Sequence, residues 1–410
     1  MVLGQTTVLT ASPSRPIIYK YTKRGYFLKE PCYNTYMKIL IIDKEAIYRN
    51  GVVIYNSRLD HFLKQKKHEV HYLRFSHRHK GQEGNVTYIP FIWGIEKFWM
   101  IIIPSFNTLS LIKNAVRKIK PDIAYTTLGM TAFDVFLPRV FHKESIPLAA
   151  TLHVDISGKL NFYEFWLRVL WAIFYLPTAV QFDLFHVFSR RTKNFFTKLG
   201  TKKENIIALP NGVDSQLYSP GDSEFGKKNN IKRGILSLGR LSWQKNLPLL
   251  IESFLKTNPS PTIKLVIVGN GEMELALRKK YQDERIIFTG FVEKDTDRID
   301  IIRSCQIFAL PSRGEGMSLS MLEAMSCGLV PVASNVASNQ EVIGHTGSVI
   351  PFNKLKEELP RVLKRYIDDE NLTKKLGIKA RQRIQSNYNL DKKFNALLTS
   401  FEKTIANSNR

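Results

Sequence analysis

The stretch Ile307-Phe-Ala-Leu-Pro-Ser-Arg-Gly-Glu315-Gly-Met-Ser-Leu-Ser-Met-Leu-Glu323-Ala-Met-Ser-Cys-Gly328 decides the fold. A short apolar run ends at Pro311 and a Ser-Arg-Gly turn, and reads as a buried strand. A helical segment follows, stopped by Gly328. Strand, glycine turn and helix in that order are the repeating unit of a parallel α/β sheet. Glu315 then stands just before the helix N-terminus and Glu323 about two turns into the helix. At ~1.5 Å rise per residue, the five steps from Ser318 to Glu323 span about 7–8 Å. The backbone N–H groups of Gly316, Met317 and Ser318, between the two carboxylates, form a ready anion site.

The same alternation extends in both directions. Apolar runs at Lys38–Ile42, Glu69–Leu73, Asp122–Tyr125, Leu148–Leu152, Leu184–Phe188 and Ile206–Leu209 precede it or are separated from it by helical patterns. Gly234–Leu238, Lys264–Val268, Arg285–Phe288 and Leu329–Ala333 complete the series. These are too many strands for one doubly wound sheet, which predicts two such domains facing across a cleft. The polar linker Asp214–Lys232 separates an N-terminal domain, residues 37–218, from a C-terminal domain, residues 219–385. Residues 386–410 form a last helix, and residues 1–36 a basic extension left out of the fold.

The chain has 410 residues, and its 44% hydrophobic and 11% aromatic content argues against disorder. Cys32, Cys305 and Cys327 have no metal-binding or redox spacing and read as reduced thiols. A net charge of +24 suits an anionic membrane surface, a phosphorylated substrate or nucleic acid. Without a nucleic-acid-binding signature, nucleic acid is not expected as a partner. The excess leans to residues 1–220, with 30 Lys and Arg against 15 Asp and Glu. No run reaches 18 apolar residues, so a membrane span is not expected. Two aromatic stretches, 88–103 and 161–176, are either core helices or interfacial membrane helices. The expected location is cytoplasmic, peripheral on the inner face of the membrane.

Other residues fall at strand ends, where open α/β sheets bind ligands. Arg240 follows the strand and glycine at 234–239, and Lys245 lies five residues on. A planar fork and a point charge on one loop can converge on two phosphates. Gly269 and Gly271 form a second strand-to-helix turn, but Glu274 replaces the third glycine of a dinucleotide fingerprint, so the turn reads as close packing. His153 and Asp155 follow the strand ending at Leu152, and Asn211-Gly-Val-Asp214 is a turn by composition. Asp295-Thr-Asp297 has the spacing of a metal-chelating pair, but Arg240, Lys245 and the helix end already supply positive field, so no metal is expected.

These residues together resemble the E-x7-E signature and surroundings of the retaining family-4 glycosyltransferases, which have the GT-B fold. The likeness runs from about Met37 to the end and is dense from Gly234 to Gly347; Lys120-Pro-Asp122 and Glu341 also match. It implies a nucleotide diphosphate-sugar donor, UDP- or GDP-linked. Arg240 and Lys245 would then hold the diphosphate, and Glu315 and His153 the transferred sugar. Glu323 would hold the ribose, and Phe291 and Val292 the base. It also implies front-face attack by the acceptor hydroxyl with retention of configuration, and a final helix that crosses back to the first domain. Acceptor-side residues would be Asn50, Gly51 and Asp155, with Asn50 standing where many relatives have a second glycine. Charge and aromatic stretches suggest a lipid-linked oligosaccharide or surface polysaccharide precursor as acceptor. A soluble glucan or small-molecule acceptor, or a nucleotide-sugar epimerase of the same fold, are the alternatives.

Overall fold

The computed structural model describes residues 36–44, 51–76, 78–95, 101–104, 107–128, 134–153, 177–336 and 338–408, with the strands Val8–Leu9, Ile17–Tyr21 and Phe27–Pro31. Its contacts form two units. One contains Met1–Thr151, Ile173–Phe185 and Ala396–Arg410, and the other Leu152–Ala172 and His186–Asn395.

An eight-stranded sheet runs in the order Ile206–Ala208, Leu184–Val187, Leu148–Leu152, Ile123–Leu128, Lys38–Lys44, Glu69–Phe75, Val86–Ile89, Gly81–Glu83. Ile123–Leu128, Lys38–Lys44, Glu69–Phe75 and Val86–Ile89 pair in parallel, and Gly81–Glu83 closes the edge antiparallel. Ile39 to Ile42 are all buried, as a central strand covered on both faces requires. The Lys120-Pro-Asp122 motif is structural here. Lys120 ends the helix Thr108–Ile119 in the left-handed conformation, and Asp122 accepts from the Lys38 backbone N–H at 2.8 Å.

The second sheet has the order Ile286–Gly290, Ile263–Val268, Arg233–Leu238, Ile307–Leu310, Val330–Ser334, Ser348–Ile350, all parallel. Its core combines strand residues such as Ile235, Leu265 and Val332 with Leu250 and Phe254 of one helix and Leu359 and Leu363 of another. Cys305 and Cys327 are free and buried, and burial pushes both thiols up to about 12, so they are packing residues.

The structure departs from the sequence reading in two places. Residues 88–103 do not form a helix: Phe91–Ile95 and Ile101–Pro104 pair as an antiparallel hairpin, as β-branched and aromatic runs beside Pro90 and Pro104 favour. The extension before Met37 contains a three-stranded antiparallel sheet. The contact division falls within the strand Leu184–Val187 and counts the edge strand Ile206–Ala208 of the eight-stranded sheet with the second unit, where Val213 forms a bridge with Asn389. The stretch 154–176 lies outside the described residues, as do Cys32, Asn50 and Asp155. The last helix, Leu390–Ser408, ends in the first unit, where the Phe401 ring lies 5.7 Å from that of Tyr125.

Candidate active site

In an open sheet of this order, ligands bind outside the carboxyl ends of the strands where the order reverses. In the second unit that point lies between Arg233–Leu238 and Ile307–Leu310. The loop after the first carries Arg240 and Lys245. The loop after the second carries Ser312, Glu315 and Gly316. Topology therefore places the sequence candidates together, and hydrogen bonds tie the two loops. Arg313 N–H donates to the Gln244 carbonyl at 2.8 Å, and Asn246 Nδ2 donates to the Pro311 carbonyl at 3.2 Å.

Glu315 is the centre of the arrangement. Lys245 Nζ donates to its Oε1 at 2.7 Å and Ser312 Oγ to the same atom at 2.5 Å. Ser312 is fully buried and is held in turn by Ser334 Oγ, which donates to its carbonyl at 2.6 Å. Both bonds end on Oε1, so Oε2 makes no hydrogen bond among the described residues and can receive a hydroxyl. Arg240 is exposed, with no side-chain hydrogen bond or ion pair among the described residues. Its guanidinium is therefore uncommitted, on the loop that also carries Lys245.

The helix itself spans Leu319–Ser326, with Ser318 as its N-cap accepting from Met321 N–H at 3.2 Å. Gly328 follows it with φ +88°, a conformation that stops the helix. Glu323 lies in the second turn, 4% exposed, and its Oε2 is 3.7 Å from Arg298 Nε. Sequence reasoning found the glutamate and missed its partner. Arg298 sits in the charged stretch 293–300, where one more basic residue carries no signal.

The turn Gly269–Gly271 packs on the loop that carries Arg240. A Cβ on Gly269 would lie 2.0 Å from the Gly239 carbonyl oxygen, and its φ of +127° favours glycine as well. Leu241 N–H donates to the Asn270 carbonyl at 2.8 Å, which completes the joint. Phe291 is half-exposed and Val292 partly buried, just past Gly290, whose carbonyl accepts from Gly269 N–H at 2.8 Å.

A Cβ on Gly316 would come within 2.4 Å of the His153 carbonyl oxygen. A narrow cavity there is lined by His153, Phe188, Ser189, Met317 and Ser338. Burial, with His186 nearby, pulls His153 down to about 3, and burial pulls His186 down to about 4. Both imidazoles are neutral at pH 7, so His153 offers a hydrogen bond and no charge. Asn211 is buried against the same loop: its Nδ2 donates to the Met317 carbonyl at 3.2 Å, so the side chain braces the loop. Gly51 starts the helix Gly51–Gln65 in the first unit and is exposed. Asp295, the first carboxylate of the Asp-x-Asp pair, lies 3.0 Å from Arg298 Nη2.

Two family profiles match successive parts of the chain. Glycosyltransferase Family 4 covers residues 49–217, and Glycosyl transferases group 1 covers residues 222–383. The chain belongs to the group 1, family-4 glycosyltransferases. An uncharacterized glycosyltransferase of Methanocaldococcus jannaschii is 27% identical over 77% of this chain and 81% of its own length. The UDP-Gal:alpha-D-GlcNAc-diphosphoundecaprenol alpha-1,3-galactosyltransferase of Escherichia coli is 27% identical over 49% of this chain and 55% of its own. Among solved structures, Anabaena HepE in complex with UDP superposes with a TM-score of 0.69 at 20% identity, covering 90% of this chain and all of that one. The glycosyltransferase has the GT-B fold of such neighbours.

Proposed function

We propose that this glycosyltransferase moves a hexose from a nucleotide diphosphate-sugar, UDP-linked in preference to GDP-linked, to a lipid-linked oligosaccharide or surface polysaccharide precursor, with retention of configuration. The observation that carries the reading is the Lys245–Glu315–Ser312 cluster at the switch point, with the exposed Arg240 on the same loop as Lys245. In this reading Arg240 and Lys245 take the donor diphosphate and Glu315 Oε2 takes a sugar hydroxyl. Glu323 takes the ribose, and Phe291 and Val292 lie beside the base. The acceptor hydroxyl attacks the anomeric carbon on the face from which the diphosphate leaves. The departing phosphate oxygen receives the hydroxyl proton, while the two cations stabilise the charge that develops on it. These cations make a divalent metal unnecessary. UDP is favoured because HepE binds it, and a lipid diphosphate acceptor because the Escherichia coli relative's name specifies one.

A peripheral position on an anionic membrane is supported by the helix Arg190–Lys198 and the residues after it. Phe195 is 36% and Leu199 42% exposed. Around them Arg190, Arg191, Lys198, Lys202 and Lys203 are also exposed, against Glu204. Aromatic and aliphatic groups among basic ones suit a headgroup layer. No helix among the described residues is long and apolar enough to cross a membrane.

Thermal unfolding with UDP, GDP and ADP, each with magnesium and with EDTA, tests the donor reading. Ligand at about 100 times its dissociation constant adds ~2.7 kcal/mol. UDP should raise the melting point most, equally with and without metal, and no shift with any nucleotide would refute the site. Proton NMR of the product's anomeric centre tests retention. Sedimentation with anionic vesicles at low salt tests the membrane reading, which absence of binding would end.

A further inference from the structure

The proposed reaction leaves one buried group of this unit without a task, the guanidinium of Arg298. It stands on the helix Asp295–Arg303 with its side chain 9% exposed, and it is braced on several sides. Its Nη2 donates to the Tyr218 hydroxyl and lies 3.0 Å from Asp295 Oδ1. The Tyr218 ring centroid is 5.8 Å from the guanidinium carbon, within cation–π range. Tyr218 is fully buried and is fastened to the helix that carries Glu323, because Ser326 Oγ donates to its carbonyl at 2.6 Å. Tyr218, Arg298, Glu323 and Ser326 thus close a frame around the second glutamate. Arg298 Nε, the atom that faces Glu323, makes no hydrogen bond among the described residues. At 3.7 Å the contact is an ion pair and not a hydrogen bond, so the guanidinium sets charge and position beside the carboxylate without donating to Oε2.

We infer that Arg298, backed by Tyr218 and Asp295, is the positioning residue of Glu323. It holds the carboxylate in the orientation that receives the two vicinal ribose hydroxyls of the donor nucleotide, and so sets the preference for ribonucleotides. The inference rests on the proposed ribose role of Glu323. Without this charged neighbour the buried carboxylate turns toward water, and that response spoils a two-hydroxyl acceptor. A site built to bond hydroxyls discriminates strongly against analogues that lack them.

The test is calorimetric binding of UDP and 2′,3′-dideoxy-UDP, with GDP and its dideoxy analogue in parallel, to the full chain and its variants. The unaltered protein should prefer the ribo form by about 10-fold or more. Glu323→Gln should reduce that preference to within about threefold. Arg298→Met should do the same while leaving dideoxy-nucleotide affinity unchanged, and Arg298→Lys should fall between. A purely structural role for Arg298 would lower both affinities together. Full preference in Glu323→Gln would overturn the ribose reading and the inference with it. Loss in Glu323→Gln with full preference in Arg298→Met would overturn the inference alone. If Arg298→Met does not fold, Arg298→Lys and Tyr218→Phe carry the test, and an unchanged preference in both is decisive against it.

Discussion

The two glutamates of the same helix region have opposite surroundings. Glu315, in the loop before the helix, receives two short hydrogen bonds on one oxygen, from Lys245 at 2.7 Å and Ser312 at 2.5 Å. Glu323, inside the helix, faces Arg298 across 3.7 Å in a setting that is almost fully buried. The first pair sits where two loops meet solvent, with side chains 19% and 10% exposed. Its lysine can turn to an incoming phosphate while Ser312 still donates to the carboxylate. The second pair is part of the packing and cannot be separated so cheaply. One carboxylate therefore belongs to a cluster that can rearrange around the reacting atoms, and the other to a fixed frame suited to holding a part of the donor that does not react.

The largest expected effect lies on the Glu315 side. Lys245→Ala should lower turnover by about 10²-fold or more, the scale of losing one preorganised charge donor. Steady-state kinetics within threefold of the unaltered enzyme would erase the distinction drawn here. On the other side, Glu323→Gln should raise the donor KM by about 10-fold, from a lost charge-assisted bond of about 1.5–3 kcal/mol, and change kcat little. A kcat loss as large as that of Lys245→Ala would make both glutamates part of the reacting cluster. Ser312→Ala should cost roughly 1 kcal/mol, or about fivefold in kcat, because Lys245 still holds Oε1. A loss matching that of Lys245→Ala would show that orientation by Ser312 outweighs the lysine's charge.

The smallest effect concerns pH. His153 and His186 have folded pKa values of about 3 and about 4, below the ordinary value of 6.5. The unfolded chain thus binds more protons as pH falls through that window, and stability is fully present above about 6.5 and declines toward about 3. Melting temperature against pH should show this decline. His186→Gln, which can still donate to the Leu209 carbonyl, should flatten it. An unchanged slope would place the acid-sensitive groups elsewhere, on either glutamate's side.

Much of this was legible in the chain because it is local. Each strand-like run in both halves corresponds to a strand, since apolar runs of that length between glycine and proline turns have few other outcomes. Ser348–Ile350 and the short strands Gly81–Glu83 and Val86–Ile89 were missed, being too short or too polar to stand out. The stretch 88–103 was misread as helical because aromatic density alone does not separate a buried helix from a hairpin; only the pairing of Phe91–Ile95 with Ile101–Pro104 does.

The sequence by itself determined the parallel α/β class, the glycine-turned loops and the order of Arg240, Lys245, Glu315 and Glu323 along the chain. Those features depend on periodicity and backbone conformation within a few residues. Only the tertiary structure decided the partners. Ser312 reaches the Lys245 pair because Arg233–Leu238 and Ile307–Leu310 lie side by side, and Arg298 reaches Glu323 because the helices that carry them pack in the same unit. Strand order is set by burial of the whole sheet, and no window of sequence contains it.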